Sequence, residues 1–349
     1  MKRIGLVVHN GKEVARTAAE AVRSWGGRHG VPCIEVDQWE DAERLDEKVE
    51  VARAGSPDLF VTVGGDGTFL RGVRMATAVD APVLGIDVGR VGFLTEVTTA
   101  EIDNALAAVV AGTFQVDERL ALTMRASRPL GIPTDLHWLM KYARSPALPP
   151  PEVHDQTATE IGWGVRIDVT ALNDIVFEKL TRDRQASLAV YVSGRHFASY
   201  SADALIVATP TGSTAYSFSA GGPLVAPNMD ALVFTPVAPH MIFDRSLVLG
   251  VDQRIGVRVL DRSGAVTVSV DGQLRGVIEP GDWVSVYASA RRARLVRLKD
   301  TDFLSRVRDR FGLADAAAAL ADGETPEVYE PGIPLPPDMP PGDRRLLGG

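Results

Sequence analysis

Leu59-Phe60-Val61-Thr62-Val63-Gly64-Gly65-Asp66-Gly67-Thr68-Phe69-Leu70-Arg71-Gly72-Val73-Arg74-Met75-Ala76 holds three kinds of sequence in succession. The apolar opening reads as a buried strand, the glycines as a tight loop and the remainder as a helix. That order makes an anion site: glycine lets the backbone approach a phosphate, and a helix N-terminus presents free N–H groups to it. Asp66 is out of place in a passive cradle, because a carboxylate repels phosphate. It fits a loop where phosphoryl transfer occurs, either taking the proton of an attacking hydroxyl or acting through Mg²⁺.

Working outward, residues 4–8, 32–36 and 82–86 read as further strands and residues 12–28 as a helix stopping at Gly26-Gly27. The charged run 40–54 reads as a helix or a solvated loop. Thr98 and Glu101 make a capping box for a helix running to Val110. Alternating strands and helices imply a Rossmann-like parallel sheet covered by helices, with ligands at the carboxyl ends of the strands. Residues 1–119 are therefore expected to form an α/β domain.

Residues 127–164 are a Pro-rich insertion containing His137, Trp138 and Trp163, which read as local packing or as a cover over a ligand. Beyond it the pattern changes to period two, in 166–170, 188–192 and 196–200, and Val266, Val268 and Val270 alternate before an Asp271-Gly272 turn. Residues 120–300 are expected to be a mostly antiparallel β domain. A helix at 301–321 is expected to pack back on the first domain. The Pro-, Gly- and charge-rich tail 322–349 reads as disordered.

The chain has 349 residues, 45% hydrophobic and 23% charged, which suits two globular domains. A net charge of −8 leaves no basic footprint for nucleic acid. The single cysteine, Cys33, cannot form an internal disulfide. With no apolar run of membrane-spanning length, a cytoplasmic enzyme is expected.

A second run, Thr209-Pro210-Thr211-Gly212-Ser213-Thr214-Ala215-Tyr216-Ser217-Phe218-Ser219-Ala220-Gly221-Gly222-Pro223, is rich in hydroxyls and small residues with an aromatic in its middle. It offers hydrogen bonds and a stacking face to a nucleotide or sugar. Ser213 lacks the Gly-x-Ser-x-Gly elbow of a hydrolase nucleophile. Asn173-Asp174, opening another apolar run, reads as a turn or as a pair for ribose hydroxyls. Arg71 and Arg74 read as a solvated helix face or as site residues. His240 reads as a buried structural histidine or a catalytic one, and Tyr216 as ligand stacking or core packing.

Together these runs resemble the NAD kinase family, related to the diacylglycerol kinases and phosphofructokinases. The resemblance covers residues 59–275, through Gly85-Ile86-Asp87-Val88-Gly89-Arg90-Val91-Gly92-Phe93-Leu94-Thr95, Asn173-Asp174, Asp203, the hydroxyl-rich run, Pro236-Val237-Ala238-Pro239-His240 and Asp271-Gly272-Gln273. It implies transfer of the γ-phosphate of ATP, with Mg²⁺ or another divalent ion, to the 2′-hydroxyl of the adenosine ribose of NAD. By the same resemblance Asp66 is the general base, and Gly64, Gly65, Gly67 and Thr68 form the ATP phosphate loop. Asp66, Gly67, Arg71, Asn173, Asp174, Arg184, Asp203, Thr214, Ala215, Tyr216, Ser217, Phe218, Ser219 and Gln273 are then expected around NAD, in a homodimer or homotetramer. Asp87 stands where the family usually has Asn, Asp174 where it has Glu, and Ala204 where it has Gly. These departures surround the acceptor, so a paralogue acting on another nucleoside, sugar or lipid hydroxyl, or a non-catalytic NAD(P)-binding regulator, are the alternatives.

Overall fold

The computed structural model describes residues 1–9, 11–36, 47–89, 92–136, 153–154, 162, 164–181, 184–299 and 303–313. Residues 37–46, Arg90, Val91, His137, Trp138, Trp163 and the tail 322–349 lie outside the described residues. The chain divides into two units, Met1–Asp300 and Thr301–Gly349. In the second, the described element is the helix Phe303–Phe311, where the sequence places a longer one. The sheets all belong to the first unit.

Strands β1 (Ile4–Val8), β2 (Cys33–Glu35), β3 (Leu59–Gly64) and β4 (Val83–Asp87) run parallel in the order β2-β1-β3-β4, and β5 (Val97–Thr98) pairs with β4. Every residue of β1, β3 and β4 is buried, as continuous apolar strands demand when helices cover both faces. Helices α1 (Glu13–His29) and α4 (Ile102–Ala111) pack on one face with Leu6 and Val61. Helix α3 (Asp66–Ala78) packs on the other with Val7 and Phe60. Between β2 and β3 the short α2 (Glu47–Arg53) lies within the charged run.

Two sequence expectations need correction here. Helix α1 does not stop at Gly26-Gly27 but continues to His29 and ends on Gly30 in the left-handed conformation, φ 67°. Glycine inside a helix costs only about 1 kcal/mol, and Gly26 is needed for close approach. A Cβ there would lie 2.5 Å from both Cys33 Sγ and the Val31 carbonyl. The first sheet, moreover, is not complete at residue 119. Strand β20 (Ala293–Arg297) returns to it between β4 and β6 (Gln115–Arg119), parallel to the former and antiparallel to the latter. Leu295 and Val296 are buried in the cores on opposite faces, as suits an interior strand.

The remaining strands form two antiparallel sheets. One orders β15 (Leu247–Gly250), β14 (Ala231–Val237), β13 (Ala204–Ala208), β10 (Asp174–Lys179), β17 (Val266–Val270) and β18 (Gln273–Ile278). The other orders β12 (Arg195–Ala202), β11 (Ala186–Val192), β16 (Arg254–Val259), β19 (Trp283–Ala288), β7 (Leu122–Ala126), β9 (Val165–Ala171) and β8 (Val153–His154). They share one core, with Phe177, Leu205 and Phe234 meeting Leu188, Tyr200 and Val257. Each such side chain contributes roughly 1.5–3 kcal/mol by burial. Asp271 and Gly272, both at positive φ (48° and 73°), make the tight turn joining β17 and β18. Leu172, just before β10, departs from that core and packs with Phe69, Leu70 and Val73 of α3. It thereby pins the start of β10 to the helix that carries Asp66. Among the described residues, no helix is long and apolar enough to cross a membrane.

Candidate active site

The glycine loop closes on one side and opens on the other. Gly65 caps α3 in an extended conformation, and Asp66 is the first helical residue. A Cβ on Gly64 would lie 2.3 Å from Thr68 Oγ1, whereas one on Gly65 or Gly67 would meet nothing within 4 Å. The open face therefore lies over the helix N-terminus, which favours an anion, although the Thr68 amide already donates to the Gly65 carbonyl at 2.9 Å.

The Asp66 carboxylate is held by backbone alone among its described partners. Oδ2 accepts the Phe93 N–H and Oδ1 the Leu94 N–H, each at 3.1 Å. Gly92 has to be glycine for this contact, since a Cβ would lie 2.2 Å from Oδ1. Each carboxylate oxygen has two lone-pair sites, so one amide apiece leaves capacity to accept from a hydroxyl. The 92–95 loop is itself fixed. Buried Asp87 accepts from the Gly89 N–H at 2.6 Å and from Thr95 Oγ1 at 2.7 Å, and Thr95 Oγ1 accepts the Gly92 N–H at 3.1 Å. Arg297 on β20 donates to the Leu94 carbonyl at 2.9 Å and pairs with Asp117 and Glu96. Asp87 thus serves the scaffold of this loop.

A cavity of about 370 Å³ opens beside β10, lined by Asn173, Asp174, Glu178, Ala215, Tyr216 and Asp271 among others. Four of the sequence candidates meet here: Asn173, Asp174, Ala215 and Tyr216. Glu178 and Asp271 were not among them. Glu178 could have been found, because Asp174, Val176 and Glu178 alternate along β10 and share one face. Asp271 was legible only as a turn residue.

The hydroxyl-rich run is clamped onto Leu172-Asn173. The Thr209 N–H donates to the Asn173 carbonyl at 2.9 Å, and Thr209 Oγ1 to the Leu172 carbonyl at 2.5 Å. Gly212 presses on the same backbone; a Cβ there would lie 2.0 Å from the Asn173 carbonyl oxygen. The 3₁₀ turn Thr211–Thr214 and the short helix Tyr216–Ser219 follow. The run divides its labour. Ser213 is fully buried, donating to the Pro210 carbonyl and accepting the Val225 N–H, and Ser217 is fully buried against Thr235 Oγ1. Thr214 Oγ1 donates back to the Thr211 carbonyl at 3.0 Å. Tyr216 and Phe218, each 38% exposed, and Ser219 present the open side. Tyr216 is therefore a wall of the cavity and not core.

Asp203 pairs with Lys179 at 2.5 Å. Burial, with the charges of Glu178, Asp203 and Asp174, pushes the Tyr216 hydroxyl above its ordinary range. Gln273, opening β18, is half-buried beside the cavity residue Gly272. Arg184 is exposed ahead of β11, outside the cavity lining. Arg71 and Arg74 are 6% and 7% exposed, which overturns the solvated-face reading. His240 is exposed, which overturns the reading of it as a buried structural residue.

Burial, then the neighbouring Asp271, raises the carboxyl of Asp174 to about 7. Burial raises Asp271 as well, but three backbone amides and Arg74 oppose it there. Of the two, Asp271 is the one whose anion is favoured by backbone amides and a nearby guanidinium.

Two family models match the chain: the ATP-NAD kinase N-terminal domain over residues 28–114 and the ATP-NAD kinase C-terminal domain over residues 172–298. A protein named NAD kinase 1 from Streptomyces avermitilis is 56% identical over 337 residues, covering 97% of this chain and 94% of its own. The NAD kinase of Moorella thermoacetica is 33% identical, covering 89% of each chain. Among solved structures, yeast NADH kinase complexed with NADH superposes with a TM-score of 0.70 at 23% identity, covering 90% of this chain and 89% of that one. An NAD kinase from Archaeoglobus fulgidus in complex with ATP gives 0.60 at 23% identity, covering 89% and 98%. At that identity the two structures speak for the fold, and the sequence matches carry the assignment: this chain belongs to the ATP-NAD kinase family.

Proposed function

We propose that the chain transfers the γ-phosphate of ATP to the 2′-hydroxyl of the adenosine ribose of NAD, giving NADP, with Asp66 as general base. The observation that carries this reading is Asp66 itself: a carboxylate at the mouth of a glycine loop, held by two amides with lone pairs to spare. The relatives' names support the substrates, and the NADH and ATP named with the two structural neighbours agree with them.

In this reading the ATP phosphates lie over the open face at Gly65 and Gly67, with Gly64 and Thr68 shaping the turn beneath. Asn173 and Asp174 take the ribose hydroxyls, Tyr216 offers its ring, and Gly67, Arg71, Arg184, Asp203, Gln273 and residues 214–219 complete the surroundings of NAD. Asp66 and Arg74 are eight residues apart on α3, about 12 Å along its axis. The helix thus reaches from the phosphate loop to the neighbourhood of the acceptor turn. Phosphoryl transfer asks little covalent work of a protein; positioning and charge neutralisation supply the acceleration. Among the described residues no group of three or more His, Cys, Asp or Glu side chains is arranged to hold a metal ion. Mg²⁺, which keeps much of its water and needs only one or two carboxylates besides phosphate oxygens, fits as a companion of ATP. The composition supports a cytoplasmic location.

The test is the product. With ATP, Mg²⁺ and NAD, ³¹P NMR of the product shows a new 2′-phosphomonoester. NAD left unphosphorylated, while another nucleoside, sugar or lipid alcohol is turned over, would replace NAD as the acceptor.

Acceptor binding should depend on pH. Asp174, raised to about 7, is protonated below that value and ionised above it. A ribose hydroxyl donates more strongly to the ionised form, which therefore binds NAD better. The KM for NAD is expected to fall by about tenfold between pH 6 and pH 8, one pKa unit corresponding to a tenfold change. Initial rates at varied NAD across that range check this, and a KM for NAD independent of pH would contradict it.

A further inference from the structure

We propose that Asp271 is the positioning residue of the acceptor site: its carboxylate, reaching back from the β17–β18 turn, holds the backbone of Leu172, Asn173 and Asp174 in the form that receives the dinucleotide. The inference rests on the NAD kinase reading above.

Three consecutive amides converge on this side chain. Oδ1 accepts the N–H of Asn173 at 2.7 Å and of Asp174 at 3.1 Å, and Oδ2 accepts that of Leu172 at 3.0 Å. The Asp271 N–H donates in turn to the Asp174 carbonyl at 2.9 Å, closing the contact on both sides. Amides are the natural partners of an anion, and bonds to a charged acceptor are stronger than neutral ones.

The turn alone does not require a carboxylate. Position 271 sits at φ 48° and Gly272 at φ 73°, a conformation that asparagine fills at least as readily as aspartate. What asparagine cannot do is accept on both side-chain atoms, and the three amides need both oxygens. Electrostatics points the same way. A second carboxylate beside Asp174 is unfavourable and raises the Asp174 carboxyl. A chain that needed only a hairpin would avoid it. The charge is tolerated because the amides and Arg74 of α3 face it.

The charged groups nearest this pair are Arg74 from α3 and Glu178 on the same strand as Asp174, with the Asp203–Lys179 pair facing Glu178 in turn. Tyr216 from the hydroxyl-rich run closes the set. Asp271 also lines the cavity, so the group that shapes the turn borders the space assigned to NAD in the NAD kinase reading.

The experiment is Asp271→Asn in the full chain, with initial rates at varied NAD and varied ATP between pH 6 and 8. Asparagine keeps one acceptor but turns an NH₂ toward the Leu172 N–H, and it removes the charge that raises Asp174. The expected result is a KM for NAD raised roughly 10- to 100-fold, the scale of losing charge-assisted hydrogen bonds, with the KM for ATP changed less than about twofold. The pH midpoint of the NAD dependence moves to lower pH. An unchanged KM for NAD, or an equal loss toward both substrates with the midpoint unmoved, would overturn the proposal.

Should the variant fail to fold, amide hydrogen exchange on the wild-type chain decides. The amides of Leu172, Asn173 and Asp174 are expected to be protected before NAD is added. Exchange as fast as in exposed loops until NAD arrives would overturn the assignment. Wild-type turnover separates the two readings. If the wild type makes no NADP, the kinase reading falls and the exchange measurement alone judges Asp271.

Discussion

Asp66→Asn is expected to lower turnover by about 10²–10⁴-fold, the usual scale for loss of a general base, which is roughly 3–5 kcal/mol of barrier. The substitution is nearly isosteric. Asparagine still accepts from either the Phe93 or the Leu94 amide, although its NH₂ then faces the other. Part of the loop support remains, held also by Asp87, Thr95 and Arg297. The loss should therefore fall on kcat, with the KM values for ATP and NAD moving much less. Steady-state kinetics with thermal melting as a control checks it. Turnover within a few-fold of wild type would remove Asp66 as the base and leave it a turn residue of the glycine loop.

The second large effect is structural. Gly212→Ala would place a Cβ 2.0 Å from the Asn173 carbonyl oxygen, 2.5 Å from its carbon and 2.7 Å from its Cα. Backbone cannot rotate away as a side chain does, so either the 211–214 turn or the start of β10 must move. Both carry the acceptor site, and Thr209 ties them through the Leu172 and Asn173 carbonyls. Overpacking of this kind costs about 1–3 kcal/mol or more, and the displaced turn loses its grip on NAD. A lower melting temperature with a KM for NAD raised by about tenfold or more, the scale of 1.4 kcal/mol, is the expected outcome. Wild-type melting and wild-type KM would show that the two segments are not clamped as described.

The α/β character was legible because its signals are local. The strand before Gly64 is apolar without interruption and proves buried throughout. The capping box at Thr98 and Glu101 is present, with the Thr98 N–H donating to Glu101 at 2.8 Å. The Asp271-Gly272 pair gave its hairpin for the same reason: both residues favour positive φ. Long-range pairing left weaker marks. Nothing in the residues of β20 names β4 and β6 as its partners, although burial on both faces, at Leu295 and Val296, shows in retrospect why it lies inside the sheet. Gly26 looked like a helix stop because glycine usually weakens helices. Its reason is a contact with Val31 and Cys33 that sequence does not display.

The site shows the same division. Asn173, Asp174, Ala215 and Tyr216, expected around NAD from the sequence, line one cavity. Arg71 and Arg74 were ambiguous because helical spacing cannot tell a solvated face from a buried one, and the surroundings of α3 decide it. His240 has a turn-like sequence around it, and only the fold shows that it faces solvent. Asp271 reads in the sequence as a turn residue, because its bonds to the amides of Leu172, Asn173 and Asp174 span nearly a hundred residues.

The most direct test of the central claim is a coupled assay of the purified chain with ATP, Mg²⁺ and NAD, reading NADP through an NADP-specific dehydrogenase, beside Asp66→Asn under the same conditions. NADP formed by the wild type and reduced by about 10²-fold or more in the variant is the predicted result. No NADP from wild-type protein shown to be folded would contradict it.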